Sequence, residues 1–111
     1  MSIVGCEKST YFLAGSYFFA ALVNSKPVFK SRKIVPSGFG ELSGKDLYLY
    51  YNELSLAWVV STAFGGTDVL AFCVDESHNV LSLRSPWYVK SGNGFALNNK
   101  MSVDSGLQFC R

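Results

Sequence analysis

The chain has 111 residues, a net charge of +2, 49% hydrophobic and 15% aromatic residues. That is the length of one domain, residues 1–111, with more apolar material than a disordered chain carries. So small a charge offers no argument for nucleic acid, and the low charged fraction, 16%, predicts apolar surface that a partner would cover.

Residues 1–9 are expected to lead into the fold as a flexible segment. Ser2 stands where N-myristoylation requires glycine. The longest apolar run, Tyr11 to Val23, is broken by Gly15 and Ser16 and falls short of the roughly 18–20 residues that span a bilayer. Its single flanking lysine is balanced by Glu7, and no cleavage site follows, so no signal peptide is expected. A cytoplasmic or membrane-peripheral location follows as an expectation. A helix over 11–23 competes with a strand reading, but Gly15 and the density of aromatics favour strands.

"SYFFAALV" then reaches the turn cluster "NSKP" and "VFK", which predicts a hairpin with Pro27 at the start of its second strand. "KPVFKSRK" is the one basic cluster, with Lys26, Lys30, Arg32 and Lys33 around Phe29. Lysines at a strand edge discourage edge-to-edge pairing, and the same charges would favour an anionic membrane surface by about 1 kcal/mol each.

Residues 34–45 form the longest irregular stretch and hold "SGFGELSGK". This imitates a phosphate-binding loop but fails its pattern. With Gly44 and Lys45 in place, the first required glycine falls on Phe39. Asp46 replaces the magnesium-binding hydroxyl, and a strand follows instead of a helix N-terminus. The glycines are expected to supply positive φ.

"DLYLYY" alternates, with Leu47 and Leu49 on one face and Tyr48 and Tyr50 on the other. "NELS" turns the chain into "LAWVVS", where Leu56, Trp58 and Val60 share a face. A second hairpin is expected from "VLAFCV" through "DESHN" to "VLSL". "PWYVK" is a further strand, "SGNG" and "NNK" are turns, and "GLQFC" is expected to close the fold. The fold class is therefore all-β, one compact domain of antiparallel hairpins arranged as a sandwich or meander.

No catalytic constellation is evident. His78 lies in a turn cluster, and an enzyme would need it or Cys73 as its working group. Cys73 in an apolar run is expected to be a buried hydrophobe, while Cys6 and Cys110 lie near opposite ends, where a bridge is open to them in an oxidising compartment. Three scattered cysteines and one histidine give no zinc pattern. Asp68, Asp75 and Glu76, at strand ends, are the candidate ligands for calcium, the one cofactor considered. The aromatics exceed what a small core hides. Tyr48, Tyr50, Trp87 and Tyr88, with Lys30, Arg32 and Lys33, are the candidate partner-binding residues, for a protein partner or an anionic membrane surface and not for nucleic acid.

The Cys6-bearing start, the "LYLYY" and "AWVV" strands and the "FC" of Phe109–Cys110 give the chain a general character that resembles the immune mapped proteins of apicomplexan parasites. The resemblance implies a surface-associated, non-catalytic β domain of a group described as membrane-associated antigens acting around host-cell invasion. It assigns no residue a role. The expected function is a non-catalytic interaction domain that binds through an aromatic sheet face, with a calcium-binding module and a small enzyme as the alternatives.

Overall fold

The computed structural model describes residues 1–6, 8–66, 68–77 and 79–105. The strands are β1 (Ser2–Val4), β2 (Gly15–Val23), β3 (Lys26–Ser31), β4 (Tyr48–Asn52), β5 (Ala57–Ser61), β6 (Val69–Val74), β7 (Trp87–Ser91), β8 (Gly94–Asn98) and β9 (Ser102–Asp104). All described pairings are antiparallel, and the strands form one sheet in the order β8-β7-β6-β5-β4-β3-β2-β1-β9. This is an all-β meander, and among the described residues the only helical turns are short 3₁₀ segments.

The order carries a geometric constraint. β8 and β9 stand at opposite edges of the sheet, yet only Asn99, Lys100 and Met101 separate them in the chain. An extended chain covers at most about 3.6 Å per residue, so the two edges are held close at this corner and the sheet must curl. Asn98 fixes the corner. Its amide nitrogen donates to the Gly5 carbonyl (3.1 Å), and its side-chain oxygen accepts from the backbone N–H of Lys100 (3.0 Å) and Met101 (3.2 Å). Gly5 has φ +78°, and a Cβ there would collide with the Lys100 carbonyl oxygen, so only glycine fits.

Curling gives the sheet an inside and an outside. The larger core draws Ile3, Tyr17, Leu49, Trp58, Val60, Ala71, Cys73, Trp87, Val89 and Met101 from all around the sheet. Each large apolar side chain buried this way contributes roughly 1.5–3 kcal/mol. The alternation expected of β4 and β5 holds: Leu47, Leu49, Trp58 and Val60 enter this core, while Tyr50, Ala57 and Val59 form a second cluster with Val28 on the opposite face, against which Tyr48 packs. The radius of gyration, 13.2 Å, matches the value of about 13 Å for a globule of this length.

Several expectations are corrected. Residues 2–4 do not lead into the fold from outside; they form β1, paired on both sides. The stretch 11–23 is the end of a 3₁₀ segment (Lys8–Leu13) followed by β2. Leu56 sits in the β4–β5 turn at φ 54°, 53% exposed, instead of pointing inward with Trp58. "VLSL" is not a strand: Val80–Ser82 is a 3₁₀ turn, and the next strand along the chain to pair with β6 is β7. Side chains capture the loop backbone. Asn79 accepts from the Leu81 N–H, and Asp75 accepts from three further N–H groups of the same loop, which leaves that backbone satisfied without a ladder. The expected closing strand "GLQFC" lies outside the described residues; β9 is the last strand described.

The β2–β3 hairpin turns on Asn24 (φ 51°) and Ser25 (φ 64°), both left-handed as a two-residue turn of this kind requires. Asparagine suits that region and serine does not. Ser25→Gly is expected to raise the unfolding free energy by about 0.5–1 kcal/mol in urea denaturation, with an unchanged m-value.

Candidate functional site

The outer face of β5–β8 carries the site. The register sets Phe72 opposite Tyr88 and Tyr88 opposite Leu97, with Lys90 opposite Phe95. Because Trp87 and Val89 point into the core, Tyr88 and its cross-strand neighbours point out. Phe72 stacks on Tyr88 with ring centroids 5.2 Å apart and meets Phe95 edge-on at 5.0 Å. Val74 and Leu97 are each 54% exposed and Phe95 45%. Beside these rings runs a groove of about 330 Å³, floored by Ala57 and Val59, walled by Val69, Phe72, Val74 and Phe95, and edged by Asn52 and Ser55. A contiguous exposed apolar surface of this kind is a candidate interaction site.

The aromatics named from the sequence divide into two groups. Tyr88 belongs to this surface. Trp87 and Tyr50 are each 2% exposed and unavailable to a partner, which corrects their candidacy. Trp87 packs in the main core. Tyr50 is held by the β5–β6 turn: its hydroxyl lies 2.9 Å from Ser61 Oγ and accepts from the Gly65 N–H at 3.0 Å, while its ring meets Phe64. Tyr48 is half-buried under Lys30, whose ammonium lies 5.8 Å from the ring centroid. Phe72, Val74, Phe95 and Leu97 are the residues that sequence reasoning misses. Alternation in "VLAFCV" and in "FALN" is the available signal, but the β6–β7–β8 pairing is needed to assign the faces.

The basic cluster does not join this surface. Lys26 pairs with Glu53 (3.0 Å) and Lys30 with Asp46 (3.6 Å). Arg32 lies over the Phe18 ring at 5.3 Å, and both it and Lys33 are exposed. These residues belong to β3 and its exit, three strands away from β6 in the sheet order. In the glycine-rich loop, the Gly44 N–H donates to the Val35 carbonyl and the Val35 N–H to the Lys45 carbonyl, while the Lys45 ammonium faces Asp68 at 3.7 Å. Gly38, Gly40 and Gly44 all have positive φ, as expected of turn glycines.

The candidate calcium ligands are not brought together. Asp68 precedes β6 and Asp75 and Glu76 follow it, so the length of a six-residue strand, about 20 Å, separates them. Among the described residues no group of three or more metal-ligating side chains converges. Asp75 has a different task. Its carboxylate accepts from the N–H of Ser77 (2.9 Å), Arg84 (2.9 Å) and Ser85 (3.1 Å), and these bonds, Ser77 first, hold its pKa below the ordinary carboxylate value. Trp58 anchors the same loop by donating its indole N–H to the Ser77 carbonyl at 2.8 Å.

Cys73 is fully buried, its thiol directed at the Ser85 carbonyl oxygen (3.2 Å), and burial pushes its pKa up to about 11. It is a neutral thiol at physiological pH, a poor nucleophile. His78 and Cys110 lie outside the described residues, and with Cys110 the bridge considered for Cys6. Among the described residues no helix is long and apolar enough to cross a membrane.

No protein family, curated protein or solved structure matches the chain.

The Asp75 loop yields a test with a definite sign. The folded-state pKa is lowered, so the carboxylate's contribution is present above its unfolded pKa of about 3.9 and is lost as pH falls through the folded value. Asp75→Ala is expected to cost about 1–2 kcal/mol at neutral pH, discounted for partial exposure, and to flatten the loss of stability below pH ~4. Denaturation of both proteins across that pH range measures it.

Proposed function

We propose that the protein is a non-catalytic interaction domain that binds a protein partner through the outer face of β6–β8, centred on Tyr88. The observation that carries this reading is the exposed apolar surface of Val74, Tyr88, Phe95 and Leu97 around the half-buried Phe72, beside a groove. Aromatic side chains around a preformed depression supply contact area at little entropic cost, which suits them as binding anchors. The inert environment of Cys73 supports a binding role over nucleophilic chemistry.

The face favours a protein over an anionic membrane. Among the described residues, two of the four basic-cluster cations already face carboxylates, and the cluster lies away from the apolar face. Arg32 and Lys33 together offer only about 2 kcal/mol of attraction to an anionic surface.

Selection of random-sequence peptides on the intact protein tests the proposal. Selected peptides are expected to be rich in apolar and aromatic residues, to shift the amide resonances of β6–β8, and to bind at least about tenfold more weakly to Phe95→Ser. Phe95 is exposed, so that variant should melt close to the parent. Peptides that bind with equal affinity to Phe95→Ser, or that perturb other strands alone, overturn the assignment.

A further inference from the structure

The β7–β8 hairpin turns on Gly92 and Asn93, with Ser91 opposite Gly94. Gly92 has φ +59°, whereas Asn93 does not take the left-handed conformation. That is the pattern of a type II′ turn, which asks for glycine at its first central position only. Gly92 therefore serves the backbone. Gly94 does not: its φ is not left-handed, and a Cβ there would meet nothing within 4 Å.

What glycine changes at position 94 is reactivity. The backbone nitrogen of one residue can attack the side-chain carbonyl carbon of an asparagine just before it. A Cβ on the attacking residue crowds that approach, and glycine leaves it open. The chain has six asparagines, at positions 24, 52, 79, 93, 98 and 99. Asn52, Asn79 and Asn98 hold their side-chain oxygens in hydrogen bonds from nearby backbone N–H groups. Among the described residues no such bond holds Asn24, Asn93 or Asn99, and of these three only Asn93 precedes glycine. Gly92, Asn93 and Gly94 are all exposed, so water reaches the turn.

We propose that Asn93 is a self-modification site, at which the hairpin tip converts an amide to a carboxylate without an enzyme. The Gly94 nitrogen attacks Asn93 Cγ. The new C–N bond closes a succinimide ring as the Cγ–Nδ2 bond breaks, and the Gly94 amide proton leaves with the side-chain nitrogen as ammonia. Water then opens the ring. Addition at Cγ gives aspartate; addition at the main-chain carbonyl gives isoaspartate, in which the chain runs through Cβ and Cγ. In a closed turn the Gly94 N–H donates to the Ser91 carbonyl, so the ring forms when the hairpin end opens. Either product takes one unit from the net charge of +2. Isoaspartate also lengthens the backbone of a two-residue turn by one carbon, which loosens the Ser91–Gly94 and Lys90–Phe95 pairings. The chemistry does not depend on the binding role given to the Tyr88 face.

Incubation of the intact protein in warm, mildly alkaline buffer, followed by peptide mass mapping, tests the proposal. The peptide that contains Asn93 is expected to gain about 1 Da and to separate into two products of equal mass. Gly94→Ala, which the open space at Gly94 admits, is expected to slow that gain at least about tenfold without destabilising the fold. A peptide that stays unmodified, a gain as fast in Gly94→Ala as in the parent, or faster conversion at Asn24 or Asn99 than at Asn93 overturns the assignment.

Discussion

The contact between Gly5 and the β8–β9 corner is the constraint on which the rest of the structure depends. A meander of this many strands has two edges, and here the chain itself ties one to the other through three residues. The tie works only if the backbone at Gly5 comes against that of Lys100, and Asn98 satisfies the polar groups stranded by that approach. With the two edges held close at this corner, Trp58, Trp87, Leu49 and Ile3, from distant points of the sheet, share one interior. A flat sheet of the same strands would leave much of that surface in water.

A filled interior leaves the outside of the sheet as the surface another molecule can reach. Side chains from all around the sheet occupy the inside of the curl, while Val74, Tyr88, Phe95 and Leu97 stay exposed on its outer face. That apolar area is what the proposed binding role draws on.

Much of this is legible in the sequence, for reasons that particular residues make plain. The alternation in "DLYLYY" and in "AWVV" is legible because each strand has one face in the large core and one in the small, and only Leu56 at the turn departs from it. Turn chemistry in "NSKP" and "NELS" marks two hairpins correctly, whereas "SGNG" reads from the sequence only as a turn and its β7–β8 hairpin goes unnoticed. What the sequence hides are features decided by nonlocal groups. "VLSL" has the composition of a strand, but the Asp75 carboxylate and the Trp58 indole capture the backbone of its loop. The excess of aromatics nominates Tyr50 and Trp87 as binding residues because composition cannot say which rings the core covers. The exposed face is hidden for the same reason: Phe95 and Leu97 acquire meaning only when β8 lies against β7 and β6.

The most direct test of the closure compares two glycines. Gly5 and Gly92 both have positive φ, but a Cβ at Gly92 meets nothing within 4 Å, whereas at Gly5 it meets the Lys100 backbone. Replacing each by alanine and measuring unfolding free energy separates the backbone strain, common to both, from the closure of the sheet. The account predicts a cost of about 1–2 kcal/mol for Gly92→Ala, from the left-handed conformation alone, and a loss larger by at least about 2 kcal/mol for Gly5→Ala. Equal costs at the two positions would contradict it.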